Sequence, residues 1–275
     1  MSGGGRTTVG PATAVRAAAE RLSIATTTGA PVAPVRDLIG PDDVDLAYAV
    51  QRIGVQHRLA AGAQLVGRKI GLTSPAVQQQ LGVNQPDFGV LFGDMNVTET
   101  TAAQRPSLLQ PKIEAELAFM LGADLDIEQL DSISVRGAVD YAVAALEIVD
   151  SRIADWDISF ADTVADNASS GWFVLGTERL SLADFEPREI AMNMAIDGEI
   201  VSTGTGSACL GDPLNALAWL ARTARDFGDP LRAGEIVLSG ALGPMAPLRP
   251  GARVRSELFS GTQTLGAVDF TLEEL

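Results

Sequence analysis

The sequence predicts an α+β protein in which a helical N-terminal segment packs on a curved, mostly antiparallel β-sheet. Residues 11–63 carry apolar side chains at helical spacing, and beyond them short apolar runs alternate with turn signals. Two of these runs are separated only by Asp197-Gly198, a hairpin signal typical of antiparallel strands. We therefore divide the chain into a disordered tail at 1–10, a helical segment at 11–63 and a sheet domain at 64–275.

Two helices are predicted in the N-terminal segment, the first over residues 12–25. The second begins near Pro41, whose fixed φ suits a first helical turn, and ends by Gly62. Its apolar stripe places His57, the only histidine, on or beside the buried face, where packing is a more common role than metal binding or catalysis. The residues of the stripe are Leu46, Val50, Ile53 and His57.

The sheet domain is predicted to contain short strands separated by turns and by three helices. These elements are a strand over 64–72, a short helix from Ser74-Pro75 to Gln80, strands bearing Glu114 and Glu147, a helix near 128–143, strands over 171–176, 192–196 and 199–202, a helix from Pro213 to about Phe227, and strands around 235–239, 252–259 and 264–272. No internal repeat or coiled-coil pattern is present in the sequence.

Composition excludes several classes of protein. The chain has 275 residues, of which 46% are hydrophobic and only 5% aromatic, so aliphatic side chains must build the core. A net charge of −15 argues against nucleic acid and anionic membrane surfaces as partners. No apolar run reaches the roughly 20 residues of a membrane span. The single cysteine, Cys209, fits packing in a reducing compartment, so we expect a cytoplasmic protein.

Two acidic residues one apart, Glu114 and Glu116, interrupt the apolar run from Ile113 to Leu121. Because side chains alternate along a strand, both carboxylates leave one face while apolar side chains cover the other. Glu147 is a third acid in a similar apolar run. Buried carboxylates need a positive partner, and Mg²⁺ prefers oxygen ligands. The pattern therefore indicates either a divalent-metal site or an edge strand with a solvated acidic face.

Lysine is rare in this chain, since only Lys69 and Lys112 occur among 20 basic residues. A compact ammonium has a tunable pKa that a guanidinium lacks, so the two lysines are candidates for a chemical role. Lys69 lies in the glycine-rich run 67–71, and Lys112 stands two residues before Glu114. Chance retention is the alternative explanation for both.

Three groups of residues form a pattern that is more specific than any one of them. They are K-I-G-L-T-S at 69–74 with Q-L-G-V at 80–83 and P-D-F-G at 86–89; P-K-I-E-A-E at 111–116; and E-I-V-D-S-R at 147–152 with D-N-A-S-S-G at 166–171. In this order and spacing they resemble the 2-keto-4-pentenoate hydratase family of the fumarylacetoacetate hydrolase superfamily. The resemblance covers about residues 40–272, and the family also includes 4-oxalocrotonate decarboxylases of aromatic meta-cleavage pathways.

The resemblance implies a mixed, mostly antiparallel β-roll core, which makes 64–275 the catalytic domain. It also implies one Mg²⁺ or Mn²⁺ ion, held by three carboxylates: Glu114, Glu116 and Glu147. The family's remaining pocket residues correspond to Lys69, Asp87 and Ser169, the last of these chosen over Ser170.

The activity that the resemblance implies is hydration of a 2-hydroxy-2,4-dienoate to a 4-hydroxy-2-oxo acid in aromatic or steroid meta-cleavage catabolism. The expected partners are the small 2-oxo or 2-hydroxy dienoic acid substrate and further copies of the chain, as a pentamer or decamer. The resemblance leaves open whether the chain associates with the decarboxylase or the aldolase of the pathway.

Three other functions stay open at this point. A 4-oxalocrotonate-type decarboxylase, acting on a 2-oxo-3-enedioate, would use the same metal. An acylpyruvate C–C hydrolase would need a histidine–acid pair, and His57 is the only histidine that could supply it. A non-catalytic partner subunit is the third alternative, and nothing in the sequence favours it.

Overall fold

The structure is a computed structural model that describes residues 10–74, 78–79, 83–101 and 105–274. The predicted tail at 1–10 and the predicted short helix at 74–80 fall mainly outside these residues. None of the helices in the described part of the chain combines the length and apolar character that a membrane span requires. The boundary between the segments 11–63 and 64–275 stays a prediction.

The N-terminal segment is helical, as predicted, and contains α1 (Pro11–Thr28), α2 (Arg36–Ile39) and α3 (Val44–Ala60). Helix α3 begins three residues later than the sequence indicated, because Asp43 rather than Pro41 determines its start. The Asp43 side chain accepts a hydrogen bond of 3.0 Å from the backbone N–H of Leu46. Such an N-cap is worth about 1 kcal/mol, more than the fixed φ of a nearby proline contributes.

His57 is exposed, so its predicted place on the buried face of α3 is wrong. The buried residues of the helix end at Gln51, and residues 52–60 are half-buried or exposed. The last turns of α3 contact the protein through other residues, since Val55 packs against the smaller hydrophobic cluster and the Arg58 guanidinium lies 4.1 Å from the ring centroid of Phe92. Periodicity identified the correct stripe for the first turns and could not show that the contact passes to other residues.

The strands form two sheets. The larger one contains β1 (Leu65–Gly71), β2 (Asp87–Phe92), β3 (Lys112–Leu121), β4 (Val139–Val149), β5 (Ser170–Leu175), β8 (Ile236–Ala241) and β9 (Ala246–Pro247). The smaller one contains β6 (Ala191–Ile196), β7 (Glu199–Thr205), β10 (Arg253–Ser260) and β11 (Gln263–Thr271). Among the described residues, three helices of six or more residues connect the strands: α4 (Ser132–Ala138), α5 (Phe160–Ala165) and α6 (Pro213–Asp226).

The larger sheet has the strand order β2-β1-β8-β3-β4-β5, with β9 added to β3. Among the strand pairs that the structure describes in this sheet, β1–β8 is parallel and the others are antiparallel. The sheet is curled into a half-barrel, which confirms the predicted α+β fold with a mixed, mostly antiparallel core. The smaller sheet, in the order β11-β10-β6-β7, is antiparallel throughout.

The hairpin predicted at Asp197-Gly198 is confirmed. Ile196 pairs with Glu199, and the two turn residues have φ values of 54° and 87°. The predicted helix near 128–143 is partly wrong, because α4 ends at Ala138 and β4 begins at the next residue. Asp131 caps α4 through the N–H groups of residues 133 and 134, whereas the β-branched and aromatic residues from 139 onward pair with β3.

The main hydrophobic core lies on one face of the larger sheet, against the smaller sheet and the helices. The alternation predicted for β3 is confirmed, since its core-facing side chains all belong to this cluster: Ile113, Ala115, Leu117 and Phe119. The opposite face carries a smaller cluster that includes Ala118, Val143 and Leu238. Glu114 and Glu116 therefore leave β3 on the side of the smaller cluster.

The strand order brings the two ends of the curled sheet, β2 and β5, toward each other. Asn96, which follows β2 in the chain, forms a parallel bridge with Phe173 of β5. Nearby, the Asn167 side chain accepts from the Val90 N–H at 2.8 Å and donates to the Val90 carbonyl at 2.9 Å. An amide side chain here substitutes for the backbone of a neighbouring strand.

A left-handed turn (Asn167–Ser169) precedes β5. The φ values of its three residues are 56°, 52° and 51°, although none of the three is glycine. Left-handed backbone costs about 1–2 kcal/mol per residue for a side chain with a Cβ. Strain of this size persists only where the surroundings fix the conformation, and such places are common at functional sites.

Candidate active site

Three glutamates converge on the face of the larger sheet opposite the main core. Glu114 of β3 lies directly across from Glu147 of β4 in the strand register, and Glu116 follows two residues along β3. Each offers a carboxylate oxygen, and these oxygens all lie within 4.8 Å of one another. Glu116 and Glu147 are buried, and Glu114 is half-buried. The structure thus brings together the three acids that were predicted as metal ligands.

The alternative of a solvated acidic edge is wrong. Strand β3 pairs with β4 on one side and with β8 and β9 on the other, so it is an interior strand. Only 1% of the surface of Glu116 is exposed. Carboxylates in such a position need compensation by a cation or a proton rather than by water.

Lys69 is the cation of this cluster. It is 3% exposed on β1, and its Nζ lies 3.1 Å from Glu147 Oε1. Burial alone would lower the pKa of Lys69, but the charges of four acids outweigh it and raise the pKa above its usual value. The ammonium is therefore charged at neutral pH. The acids are Glu147, Asp87, Glu114 and Glu116.

Asp87 begins β2, opposite Gly71 of β1. A Cβ atom at Gly71 would lie 2.2 Å from Asp87 Oδ1, so any other residue at position 71 would displace the carboxyl group from its place. Thr163 donates a 3.4 Å hydrogen bond to Oδ2, and Oδ1 has no hydrogen-bond partner among the described residues. Burial, together with the charge of Glu147, raises the pKa of Asp87 to about 6 although Lys69 opposes the shift.

Ser169 ends the left-handed turn and is buried. Its carbonyl accepts from the Asp150 N–H at 2.8 Å, which holds the turn against the segment that follows β4 and Glu147. The Ser169 hydroxyl has only a long 3.4 Å contact to Asp166 Oδ2, whereas the Ser170 hydroxyl donates to the Asn167 carbonyl at 2.7 Å. The choice of Ser169 over Ser170 stays a prediction.

A divalent cation fits the three glutamates. Glu116 Oε2 accepts from the Gly240 N–H at 2.8 Å, while the buried Oε1 finds no hydrogen-bond partner in the described part of the chain. The four acids and Lys69 together carry a formal charge of −3, which a dication reduces to −1. An all-oxygen set of donors suits a hard ion such as Mg²⁺ or Mn²⁺ rather than Zn²⁺.

The crowded carboxylates make the stability of the ion-free protein depend on pH. Burial and the charge of Glu147 raise the pKa of Glu114 to about 7 and also raise that of Glu116. Lys69 and Lys112 oppose the shift at Glu114. A carboxyl group with a raised folded-state pKa binds its proton more tightly in the folded chain than in the unfolded one.

With respect to these groups, we expect the ion-free protein to be most stable below about pH 4, and to lose that contribution as the pH rises from the usual glutamate pKa of 4.5 to the folded-state pKa of about 7. Added Mg²⁺ should then raise the melting temperature by several degrees more at pH 8 than at pH 5. Scanning calorimetry with and without EDTA measures both effects. An ion-induced shift of equal size at the two pH values would contradict this account.

Several supporting residues had no clear signal in the sequence. The Gln51 amide of α3 donates to the carbonyls of Phe88 and Val164, at 2.9 and 3.0 Å, and so joins β2 to the helix that carries Thr163. Gly240, with a φ of 107°, brings its N–H to Glu116. These contacts link residues far apart in the chain, which local patterns do not reveal.

Lys112 and Cys209 lie beside the cluster. Lys112 Nζ is 4.1 Å from the ring centroid of Trp156, so its main partner is an aromatic face. Cys209 is fully buried, and its thiol donates to the Ser239 carbonyl at 2.8 Å. Burial raises the pKa of the thiol, which agrees with its predicted packing role.

Comparison with known proteins identifies relatives over most of the chain. The family model described as fumarylacetoacetate (FAA) hydrolase C-terminal matches residues 65–273. The TodF product hydratase of Pseudomonas putida is 56% identical over 238 residues, which cover 86% of this chain and 89% of that protein. The 2-keto-4-pentenoate hydratase of Paraburkholderia xenovorans is 56% identical over 234 residues, covering 85% and 87%.

A solved structure with a similar fold is 4-oxalocrotonate decarboxylase from Pseudomonas putida G7, complexed with magnesium and adipate. Its TM-score is 0.86 at 30% sequence identity, and the match covers 96% of this chain and 98% of the other. The neighbour's magnesium accords with a divalent-metal site at the glutamates of this chain.

Proposed function

We propose, because this chain belongs to the fumarylacetoacetate hydrolase family, that it is a hydratase that adds water to a 2-hydroxy-2,4-dienoate of the 2-keto-4-pentenoate type. The single observation that carries the proposal is the cluster of Glu114, Glu116 and Glu147 beside the charged Lys69. Relatives at 56% identity are hydratases, whereas the decarboxylase of similar fold is 30% identical. Hydration is therefore better supported than decarboxylation as the activity of this chain.

Glu114, Glu116 and Glu147 would hold one Mg²⁺ or Mn²⁺ ion. When bound, such an ion supplies Lewis-acid stabilisation of negative charge on the C2 oxygen of a 2-oxo acid. Glu116 is oriented for this role by the Gly240 N–H, which occupies one carboxylate oxygen and leaves the other free. Outer contacts of this kind hold metal ligands in position.

The reaction has two stages, and each of them delivers one proton to a carbon atom of the substrate. The C2 hydroxyl of the substrate loses its proton while C5 gains one, and the intermediate is the 2-oxo-3-enoate. Water then adds with its hydroxyl on C4 and a proton on C3, and the product is the 4-hydroxy-2-oxo acid. Each stage needs a group that accepts a proton and a group that returns it.

Asp87 is the residue suited to these proton transfers. Its pKa of about 6 lies near neutrality, and its Oδ1 is free of hydrogen bonds in the described structure. The Lys69 ammonium, 3.1 Å from Glu147 Oε1, would attract the anionic substrate and stabilise developing negative charge. The Ser169 hydroxyl, with its single long contact, orients water or substrate.

The hydrolase and non-catalytic alternatives are less supported. The acid cluster contains no histidine, and His57, the only one in the chain, is exposed on α3. A histidine–acid pair for activating water is thus not available to the cluster. The buried carboxylate oxygens without hydrogen-bond partners, on Asp87 and Glu116, favour an active site over an inert scaffold.

The test is to offer the purified chain both substrate classes with Mg²⁺ or Mn²⁺ present. We expect 2-hydroxypenta-2,4-dienoate to be converted to 4-hydroxy-2-oxopentanoate, and in D₂O one deuterium should enter the C5 methyl group. With a 2-oxo-3-enedioate we expect little release of CO₂. Decarboxylation that outpaces hydration would assign the chain to the sister activity instead.

Other features of the proposal rest on the family resemblance and on the sequence. They are the preference for Mg²⁺ or Mn²⁺, assembly into a homo-oligomer such as a pentamer or decamer, association with a pathway decarboxylase or aldolase, and a cytoplasmic location. Light scattering measures the assembly, and the ion dependence of turnover measures the metal preference.

A further inference from the structure

The left-handed turn (Asn167–Ser169) is held at both ends by one arginine. Arg152 Nε donates to Asp166 Oδ1 at 2.5 Å, and its Nη1 donates to the Ser170 carbonyl at 2.7 Å. Arg152 Nη2 also donates to the Asp166 carbonyl. The guanidinium therefore joins the residue before the turn to the residue after it, which fixes the distance between the two ends of the turn.

Asp166 is the second half of this clamp. It is 2% exposed, and its Oδ2 accepts from the Arg152 N–H at 3.0 Å and from the Ser151 hydroxyl at 3.3 Å. The same oxygen is the one that the Ser169 hydroxyl approaches at 3.4 Å. A single carboxylate thus contacts the arginine that spans the turn and the serine that ends it.

The turn also touches β2 and the residue that follows β4, close to two of the three strands that carry acids of the site. Asn167 binds both backbone groups of Val90 in β2, three residues after Asp87. A Cβ at Gly89 would lie 2.4 Å from the Asn167 carbonyl, so β2 and the turn are in close contact. On the other side, the Ser169 carbonyl accepts from Asp150, three residues after Glu147.

We propose that Arg152 and Asp166 are positioning residues for the hydration reaction, because together they hold the strained turn that sets the Ser169 hydroxyl relative to Asp87 and Glu147. The inference rests on the proposed function and extends it to residues outside the acid cluster. Three successive left-handed residues do not keep this conformation without support. A charged, forked donor supplies that support in a way that an ammonium cannot.

The test is a double-mutant cycle between Arg152→Lys and Ser169→Ala. We expect Arg152→Lys to lower kcat by about 10–100-fold, the loss typical when outer support of a site is removed. In the Ser169→Ala background the same change should cost less than about twofold, since it acts through the serine. Equal losses in the two backgrounds would overturn the proposal.

Arg36→Lys is the matched control. Arg36 Nη1 lies 2.8 Å from Asp162 Oδ2, and Asp162 belongs to α5, the helix that directly precedes Asp166. Arg36 has no contact with the turn among the described residues. We expect this variant to change kcat by less than about twofold. A loss as large as that of Arg152→Lys would mean that any weakening of α5 has the same effect, and the positioning role would be wrong.

Hydrogen exchange gives a readout that does not need activity. We expect Arg152→Lys to speed amide exchange in peptides covering 167–170 and to leave exchange in β3 unchanged. If that variant folds poorly, Asp166→Asn provides the same measurement independently. Unchanged exchange at 167–170 would overturn the proposal. If the parent enzyme hydrates no dienoate, the proposed function fails, and the exchange result still decides whether Arg152 holds the turn.

Discussion

Replacing Glu114 and Glu116 together by glutamine is expected to lower turnover by at least about 10³-fold, the scale of losing a main electrostatic stabiliser of the transition state. Both carboxylates face the same side of β3, and with Glu147 they form the only acidic cluster of metal-ligand size found among the described residues. Glutamine keeps the shape of each side chain but removes two of the three negative charges that would hold a dication.

The same variant should be more stable than the parent when no ion is present. Removing two buried like charges relieves the repulsion that raises the pKa of each carboxyl group. In EDTA at pH 8 we therefore expect a higher melting temperature than that of the parent, and no further rise on adding Mg²⁺. Calorimetry and isothermal titration with Mg²⁺ measure these two effects without reference to activity.

The matched control is Asp124→Asn combined with Asp126→Asn. These two acids are also separated by one residue, but they are exposed and pair with Arg232 on the surface. The net charge changes by the same amount as in the glutamate variant. We expect turnover and the Mg²⁺-induced rise in melting temperature to stay as in the parent. A glutamate variant that retained both would refute the metal site.

Asp87→Asn is expected to lower kcat by about 10²–10⁴-fold, the usual contribution of general acid–base catalysis. Asparagine fills the same space beside Gly71 but cannot take up and return a proton. The affinity for the divalent ion should change little, because Asp87 is not one of the three clustered ligands. Turnover with saturating Mg²⁺ and a separate titration of the ion distinguish the two effects.

The dependence of the rate on pH gives a second measurement for Asp87. If the carboxylate form accepts a proton, kcat/KM of the parent should rise with pH through an acidic limb at or below about pH 6. The limb should disappear in Asp87→Asn. Asp94→Asn, at the other end of β2 and paired with Arg58 on the surface, is the control. Full activity of Asp87→Asn would make our assignment of the proton carrier wrong.

The sequence was sufficient for the parts of the site that depend on one element. Alternation along a strand placed Glu114 and Glu116 on one face of β3 and the apolar residues on the other, and both statements hold in the structure. The turn at Asp197-Gly198 was equally local, because two residues with positive φ define it. Side-chain period and turn chemistry are properties that a short segment carries by itself.

The parts that depend on pairing between distant segments could not be derived in this way. The ion pair of Lys69 with Glu147 needs the parallel β1–β8 pair and the β3–β4 register, and residue patterns specified neither. Only the family resemblance linked these residues. Local reasoning also failed for His57, since the extent of a helix contact depends on the shape of the surface beneath it.

The interior place of β3 in the larger sheet bears on how the protein takes up its ion. Because Glu114 and Glu116 project from a strand bonded on both sides, their backbone positions change substantially only when the sheet itself opens. Within the described part of the chain, capture of the ion then requires no folding of a loop around it, and its binding free energy goes into relieving electrostatic repulsion. The centre is preorganised, so we expect uptake to be limited by dehydration of the cation rather than by rearrangement of the polypeptide.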